Sequence, residues 1–358
     1  LILLIILFYI LIKNKRTSLM LIINNKHNNE RLNYMNKLTK IGFTALAGSL
    51  IAVSAHAGSM SVSGSASISF SDSDTDNASA TTAEANQWTM GDSLTFSGGG
   101  ELDNGMSVAV KYEYDDDEGD LNGGGSDQPG FDSHSVTLSS AEMGSLTFAG
   151  HGGATNLDNM DDKTPNAYEE SWDGVAEADE ETIPNGITGN NSFFYKAPSM
   201  GGATFSVAYV PQGETATPNG AYMDFGVVFK PEAVDGLEVG VAFGETEETA
   251  GTTVDEQAIY AKYTLGSITA GMNINETDTV DFTSFGISFA VTDDISVAYS
   301  TSESELSGSA NDQEASGVSA SFTTGGMTIA GMVNTVDNAS FEAANDTEGY
   351  EINFSFAF

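Results

Sequence analysis

The sequence predicts an all-β protein, a transmembrane antiparallel up-and-down β-barrel of 16 strands with a long third loop folded into the lumen. Three observations lead to this prediction. Short runs of alternating apolar and polar residues recur along the chain, tight turns and long polar connections follow them in alternation, and a secretory leader precedes them. The chain contains no cysteine, which excludes a disulfide framework and a thiolate metal site.

The first 57 residues read as targeting sequence rather than as part of the fold. From Met35 the chain has a positive n-region, an apolar h-region and the sequence A-H-A, which ends at Ala57. We therefore expect a signal peptide over 35–57, cleaved after Ala57, and export of the mature chain. Residues 1–34 are either sequence translated from upstream of a start at Met35 or an extended leader, and we expect them to lie outside the fold.

The mature chain expected from this cleavage, residues 58–358, is strongly acidic. It keeps five lysines, no arginine and 50 acidic residues, and five minus 50 gives a formal net charge of −45. Nucleic acid is not an expected partner, because binding to phosphates needs clustered cations. Such a charge is common in disordered chains, but the regular apolar alternation predicts a folded one.

Sixteen runs in the mature chain have the two-residue period of a β-strand. In the run 281–291, for example, Phe285, Ile287 and Phe289 lie on one face, and serine and glycine lie on the other. The predicted strands are, in order, 58–71, 88–102, 105–117, 131–142, 144–153, 192–198, 202–212, 220–231, 236–248, 254–265, 267–276, 281–291, 294–305, 313–324, 326–337 and 347–358.

The connections between these runs alternate in length. A tight turn follows the even-numbered strands, as at 103–104 and 292–293, and a longer polar segment follows the odd-numbered ones. The longest segment, 154–191, follows strand 5. A meander with tight turns at one end and loops at the other is the connectivity of a transmembrane barrel.

The alternation alone does not assign the two faces, because a soluble sandwich buries its apolar face and a membrane barrel turns it towards lipid. The leader favours the barrel, as does a second face dominated by Ser, Thr, Gly, Asn and acidic residues. We therefore expect the last strand to face lipid and to close the barrel against the first. Aromatic residues near strand ends fit interfacial girdles: Tyr112, Tyr114, Tyr209, Tyr299, Tyr350 and Phe358.

These features together resemble the trimeric general diffusion porins of Gram-negative outer membranes, most closely the alphaproteobacterial type. The resemblance rests on the leader ending in A-H-A, on L-T-F-S-G-G-G-E-L-D-N-G-M-S-V-A-V-K-Y-E-Y at 94–114, and on the terminal strand G-Y-E-I-N-F-S-F-A-F at 349–358. It implies a homotrimer in outer-membrane lipid and lipopolysaccharide, with one channel per barrel for small hydrophilic solutes. It also implies that Phe358 is the signal that the barrel-assembly machinery reads.

In these porins the third loop folds into the barrel and narrows it, and the resemblance gives this role to 154–191. A solvated lid on the barrel surface is the alternative. The loop contains one base, Lys163, and ten acidic residues: Asp158, Asp161, Asp162, Glu169, Glu170, Asp173, Glu177, Asp179, Glu180 and Glu181.

This chain departs from the family in its bases. Porins usually have an arginine-rich cluster opposite the third loop, whereas the early strands here offer only Lys111. Three further lysines fall on inferred lumen faces, namely Lys196, Lys230 and Lys262. A ring of carboxylates favours cations, so we expect a cation-preferring channel that is not strictly selective.

The remaining motifs are weaker. D-D-D-E-G-D-L-N-G-G-G-S-D at 115–127 lacks the terminal Glu and the flanking helices of an EF-hand, so we expect an acidic rim loop with incidental Ca²⁺ binding at most, and no cofactor. Small residues at Gly64, Ala66 and Gly98 either permit subunit packing or are ordinary strand residues.

His134 and His151 are the histidines of the mature chain, and His151 is a candidate pore-lining residue where strand 5 meets the long loop. A Ser–His pair could indicate an outer-membrane hydrolase, but in so serine-rich a chain the pairing is expected by chance, and we predict no enzyme. Two alternatives to a general channel stay open: a solute-specific porin of the same architecture, and an acidic surface β-protein or adhesin.

Overall fold

The computed structural model describes residues 59–75, 87–116, 132–174, 176, 184, 186, 190–211, 221–247 and 253–358. Within these residues, 16 strands form one antiparallel sheet that closes on itself, with each strand beside its neighbours in sequence and β1 beside β16. The fold predicted from the sequence is confirmed. The predicted signal peptide at 35–57 and the segment 1–34 lie outside the described residues. In the part of the chain that the structure describes, no helix has both the length and the apolar character needed to cross a membrane.

The strands agree with the predicted runs to within a few residues. The largest correction is at β1, which continues to Thr75, so that residues predicted to begin a loop at 72 belong to the strand. A short 3₁₀ turn, Ala339–Phe341, lies between the last two strands. The strands are β1 Ser59–Thr75, β2 Gln87–Glu101, β3 Ser107–Asp116, β4 Ser133–Ser140, β5 Gly144–His151, β6 Ser192–Lys196, β7 Ala203–Val210, β8 Tyr222–Phe229, β9 Leu237–Glu247, β10 Thr253–Leu265, β11 Ile268–Glu276, β12 Val280–Ala290, β13 Ile295–Leu306, β14 Gln313–Thr324, β15 Met327–Asp337 and β16 Thr347–Ala357.

The barrel turns its large apolar side chains outward. On β12, Phe285, Ile287 and Phe289 are exposed, whereas Ser284 on the opposite face is buried inside the barrel. A soluble sandwich would show the reverse, with apolar residues inside and polar residues in water. The outer surface therefore has the apolar band that a transmembrane barrel presents to lipid.

The last residue completes the closure of the barrel. Gly64 donates its backbone N–H to the carbonyl of Phe358 at 2.8 Å, and the N–H of Phe358 donates to the carbonyl of Gly64 at 2.9 Å. The Phe358 ring lies over Gly64, where an added Cβ would be 2.7 Å from the ring. The prediction that the final strand closes against the first is confirmed, and one reason for glycine at this position is the ring of its own chain.

Candidate pore and constriction loop

The inner face of β1 carries a serine at every second residue from Ser59 to Ser73. Neighbouring strands add hydroxyls to this surface: Thr95 of β2 pairs with Ser63 of β1, and Thr137 of β4 shares a 2.8 Å hydrogen bond with Thr147 of β5. We call the inner face of β1, β2, β4 and β5 the hydroxyl wall. A hydroxyl both donates and accepts hydrogen bonds, so this wall is suited to contact with water.

The third loop lies inside the barrel, because its described residues bond to inward-facing groups of the opposite wall. Two amides of β11 hold its first half. Asn273 donates Nδ2–H to the carbonyls of Met160 and Asp161, each at 2.9 Å, and Asn275 donates to the carbonyl of Asp161 at 3.0 Å. These bonds satisfy loop carbonyls that would otherwise be buried without partners.

The second half of the loop continues along the same wall. Asn334 of β15 donates to the carbonyls of Ser171 and Ala176 at 3.0 and 2.7 Å. The loop therefore follows the inner face from β8 to β16, across from much of the hydroxyl wall. Hydrogen bonds also join the loop to four other strands: Thr164 with Ser284 of β12 at 2.7 Å, Ser171 N–H with Ser300 of β13 at 2.9 Å, Ala167 N–H with Ser319 of β14 at 3.2 Å, and Tyr168 with Glu351 of β16 at 2.9 Å.

Two apolar clusters inside the barrel bury side chains of the loop. Leu157 and Met160 enter a buried cluster that includes Tyr222 of β8. Trp172 packs edge-on against Phe282 of β12, with ring centroids 5.2 Å apart and an interplanar angle of 78°. Burial of these groups holds the loop against the wall in addition to its hydrogen bonds.

Inward-facing glycines let the loop approach the backbone of the wall. An added Cβ at Gly286 would lie 2.4 Å from Cγ2 of Thr164, closer than Cβ atoms come to other atoms in real structures. The loop consequently rests on bare strand backbone at several levels. We call these residues the glycine track: Gly226 of β8, Gly244 of β9, Gly271 of β11, Gly286 of β12 and Gly317 of β14.

The described part of the loop carries six of the ten predicted acids. Three of them are crowded, because carboxylate oxygens of Glu169, Glu170 and Asp173 lie within 4.8 Å of one another. The six are Asp158, Asp161, Asp162, Glu169, Glu170 and Asp173, whereas Glu177, Asp179, Glu180 and Glu181 lie outside the described residues.

Burial and crowding change the acidity of this segment. Burial raises the pKa of the Asp161 carboxyl to about 7, and the neighbouring charges of Asp158 and Asp162 add to the shift. Burial likewise raises the pKa of Asp158. The pKa of Glu170 is raised by burial and by the charge of Asp162. The loop therefore changes its charge near neutral pH.

The predicted lumen bases stand on the barrel wall, and two of them have acidic partners. Lys111 bonds to Glu113 on β3 at 2.8 Å, and Lys230 bonds to Glu238 on β9 at 2.7 Å. Lys262 of β10 is the cross-strand partner of Glu238 in the sheet register. Lys196 is the exposed last residue of β6, so it lies at the tight-turn end of the barrel. These acids partly offset the positive charge of the wall.

The two histidines occupy the loop end of β4 and β5. His151 is exposed, and its Nδ1 shares a hydrogen bond with the carbonyl of Asp132. His134 stacks on Tyr112 on the outer face, with an interplanar angle of 11°. The structure thus brings each ring against backbone or aromatic neighbours, and lumen lining by His151 stays a prediction.

Comparison with known proteins decides the family. A family profile described as Gram-negative porin matches residues 42–358, which is most of the chain. The chain belongs to the Gram-negative porin family. This porin is accordingly an outer-membrane diffusion channel with a porin barrel, and the family consists of channels rather than enzymes. The surface β-protein or adhesin alternative is set aside. A search of curated proteins finds no match.

Solved porin structures share the fold at low sequence identity. An anion-selective porin from Comamonas acidovorans aligns with a TM-score of 0.65 at 16% identity, over 84% of this chain and all of that one. OmpF of Salmonella typhi, solved in complex with daunomycin, aligns with a TM-score of 0.66 at 13% identity, over 84% of this chain and 98% of that one. A mutant of the Rh. blastica porin gives 0.60 at 14% identity, over 84% and 100%.

Sequence reasoning missed the groups that hold the loop in this porin. Asp224 is an isolated acid in the apolar run predicted at 220–231, and an acid on a lumen face can have many roles. Asn273 reads as an ordinary lumen residue, and the run that holds Asn334, G-M-T-I-A-G-M-V-N, is ambiguous in register. The glycine track left a clearer signal, because glycine recurs on inferred lumen faces of several strands where no turn is needed.

Proposed function

We propose that this porin is a passive channel for small hydrophilic solutes and ions, that 154–191 is its constriction loop, and that it prefers cations. One observation carries the proposal. The acidic loop is bonded to the inner wall along β8 to β16, and this supports a solute path that passes beside its carboxylates. Fixed negative charge in a narrow aqueous path raises the local concentration of cations.

The lysines of the barrel wall offset the negative charge of the loop only weakly. Lys111 and Lys230 are each bonded to a glutamate, and the mature sequence offers no arginine. The similar porin from Comamonas acidovorans is anion-selective, so the barrel fold is compatible with either sign. Side-chain charge, rather than fold, then determines selectivity in this porin.

Assembly and export follow the same proposal. We expect a homotrimer in a bilayer with lipopolysaccharide, cleavage of a signal peptide after Ala57, and use of Phe358 by the barrel-assembly machinery. No cofactor is expected beyond incidental Ca²⁺ at acidic loops. Native mass spectrometry of protein extracted from outer membranes measures both the subunit number and the mature N-terminus; a monomer beginning before Gly58 would contradict both expectations.

Planar-bilayer recording of the purified mature protein across a KCl gradient tests the proposal. We expect stepwise conductance and a reversal potential of cation-selective sign. At pH 8, where Asp161 is charged, replacing Asp161, Asp162 and Asp173 together by Asn should move the reversal potential towards zero, because three loop charges are lost. Folded protein without conductance would overturn the channel, and a reversal potential of anion-selective sign would overturn the role given to the loop.

A further inference from the structure

We propose that Asp224 is the positioning residue of the pore, because it fixes the point at which the constriction loop crosses from β5 to β8. This inference rests on the proposed function, since it takes the loop to be the constriction. Asp224 is on the inner face of β8 and is fully buried, with 0% of its surface exposed. A carboxylate in such a place needs strong compensation.

The compensation comes largely from the loop. The Asp224 carboxylate accepts hydrogen bonds from the N–H of Asn156 at 2.6 Å, from Nδ2 of Asn156 at 2.8 Å and from the N–H of Leu157 at 3.0 Å. The wall adds the hydroxyl of Tyr222 at 3.1 Å and the N–H of Ala208 at 3.2 Å. Five donors converge on two oxygens, and three of them belong to the loop.

We call the hydrogen bonds from Asn156 and Leu157 to Asp224 the clasp. The residues around the clasp make it specific for one loop position. Oδ1 of Asn156 accepts a hydrogen bond from Ser206, and Gly226 leaves the space that the Asn156 side chain occupies. The next residue, Leu157, is buried in an apolar cluster with Tyr222. A shift of the loop by one residue would place a different side chain in each site and remove the Nδ2 donor of Asn156 from the carboxylate.

The clasp also sets the position of the first loop acids. Asp158 follows Leu157 directly, and the carbonyl of Asp161 is held by Asn273 and Asn275. Asp158 therefore lies on a short segment that is fixed at both ends. Loss of the hydrogen bonds from Asn156 and Leu157 to Asp224 would free the segment that crosses from β5 to β8, while the hydrogen bonds between barrel strands stay intact.

The test is single-channel recording of Asp224→Asn in KCl, with heat-modifiable gel mobility as the check that the barrel is folded. The –NH2 of the introduced asparagine cannot accept from the donors that face it, so at least two of the five hydrogen bonds to the side chain are lost. We expect the fraction of time spent in a noisy state of higher conductance to rise on the order of a hundredfold.

Glu113→Gln is the matched control. It also removes one lumen-facing carboxylate, but Glu113 accepts from Lys111 and from hydroxyls of β2 and β4. A change in selectivity common to both variants is an effect of charge, whereas noise in Asp224→Asn alone is an effect of the clasp. The double variant D224N/N156D exchanges the amide and the carboxylate between wall and loop, and it should restore a quiet channel.

The outcomes separate the two proposals. A wild-type protein that does not conduct overturns the proposed function. A conducting wild type with a folded, quiet D224N variant overturns the role of Asp224 and leaves the channel in place. If D224N does not fold, Asn156→Ala is the second variant, because it removes the Nδ2 donor of the loop and changes no residue of the barrel. A quiet N156A channel then overturns the inference, and a noisy one supports it.

Discussion

Truncation of Trp172 to alanine should loosen the outer part of the constriction loop while leaving the barrel closed. The indole is 95% buried, with 5% of its surface exposed, and its partner Phe282 belongs to β12. Removing a buried tryptophan costs about 3–5 kcal/mol. Since 1.4 kcal/mol is a factor of ten in a population, the released state of this segment should gain roughly two to three and a half orders of magnitude.

The hydrogen bonds of this segment oppose its release. Asn334 makes three bonds to Ser171 and Ala176, and Ser171 makes a fourth to Ser300. At about 0.5–1.5 kcal/mol each they contribute about 2–6 kcal/mol, which is comparable with the loss. We therefore expect intermittent release, seen as added current noise, rather than a permanently open pore.

Trp88 provides the control for this experiment. Its side chain is 64% exposed on the outer face of β2, so Trp88→Ala should leave the single-channel trace unchanged. The same contrast gives an optical assay. In a Trp88→Phe protein, Trp172 should be protected from acrylamide and from brominated lipid, whereas Trp88 in a Trp172→Phe protein should be quenched by the lipid. Two results would refute the placement of Trp172 against Phe282 inside the barrel. One is a quiet, folded Trp172→Ala channel, and the other is quenching of Trp172 by brominated lipid.

Three further perturbations follow from the structure. Because the pKa of Asp161 is about 7, its carboxyl is neutral below that pH and charged above it, so the K⁺/Cl⁻ permeability ratio should rise from pH 6 to pH 8, and Asp161→Asn should remove this step. Gly286→Ala places a Cβ 2.4 Å from Thr164, so the loop must shift inward by about 1 Å, at a cost of about 1–3 kcal/mol, and conductance should fall. Phe358→Ala should lower the yield of folded barrel in outer membranes. The free energy of unfolding of the refolded barrel should change by about 0.5 kcal/mol or less, because the backbone hydrogen bonds to Gly64 remain.

Each of these has an internal control. Asp173→Asn should lower cation selectivity at both pH values and keep the step between them; a step that survives in Asp161→Asn assigns the titration to another group. Gly98→Ala introduces the same methyl on the outer face of β2, where the nearest atom is 3.2 Å away, and should leave conductance at the wild-type value. An unchanged yield for Phe358→Ala would show that assembly does not depend on the terminal ring.

The barrel was predictable because its signal is repeated 16 times. One strand such as 281–291 is ambiguous between solvents, but the alternating turns and loops limit the topology to a meander. The closure of β1 on β16 then follows, since an open edge cannot be exposed to lipid. The error at β1, which extends to Thr75, arose because S-D-S-D-T keeps the two-residue period while it has the composition of a loop.

The loop contacts were less accessible, because they join residues far apart in sequence. Asp224 and Asn156 are 68 positions apart, and no periodicity relates a wall residue to the loop residue that it binds. The acids of the loop were recognised as a group from composition. Which of them is buried, and hence which titrates near neutral pH, depends on packing against β8 and β11, which a list of residues does not contain.

The serine row of β1 has a consequence for what the channel can discriminate. A molecule that leaves bulk solvent and slides along this strand exchanges one set of hydroxyl partners for another, spaced by two residues. Neither donors nor acceptors, and neither sign of charge, gain an advantage there. To a permeating solute this surface offers much the same hydrogen-bond partners as the water that it replaces, so the β1 side does not discriminate between solutes. Discrimination then comes from the opposite side, which carries the acidic loop.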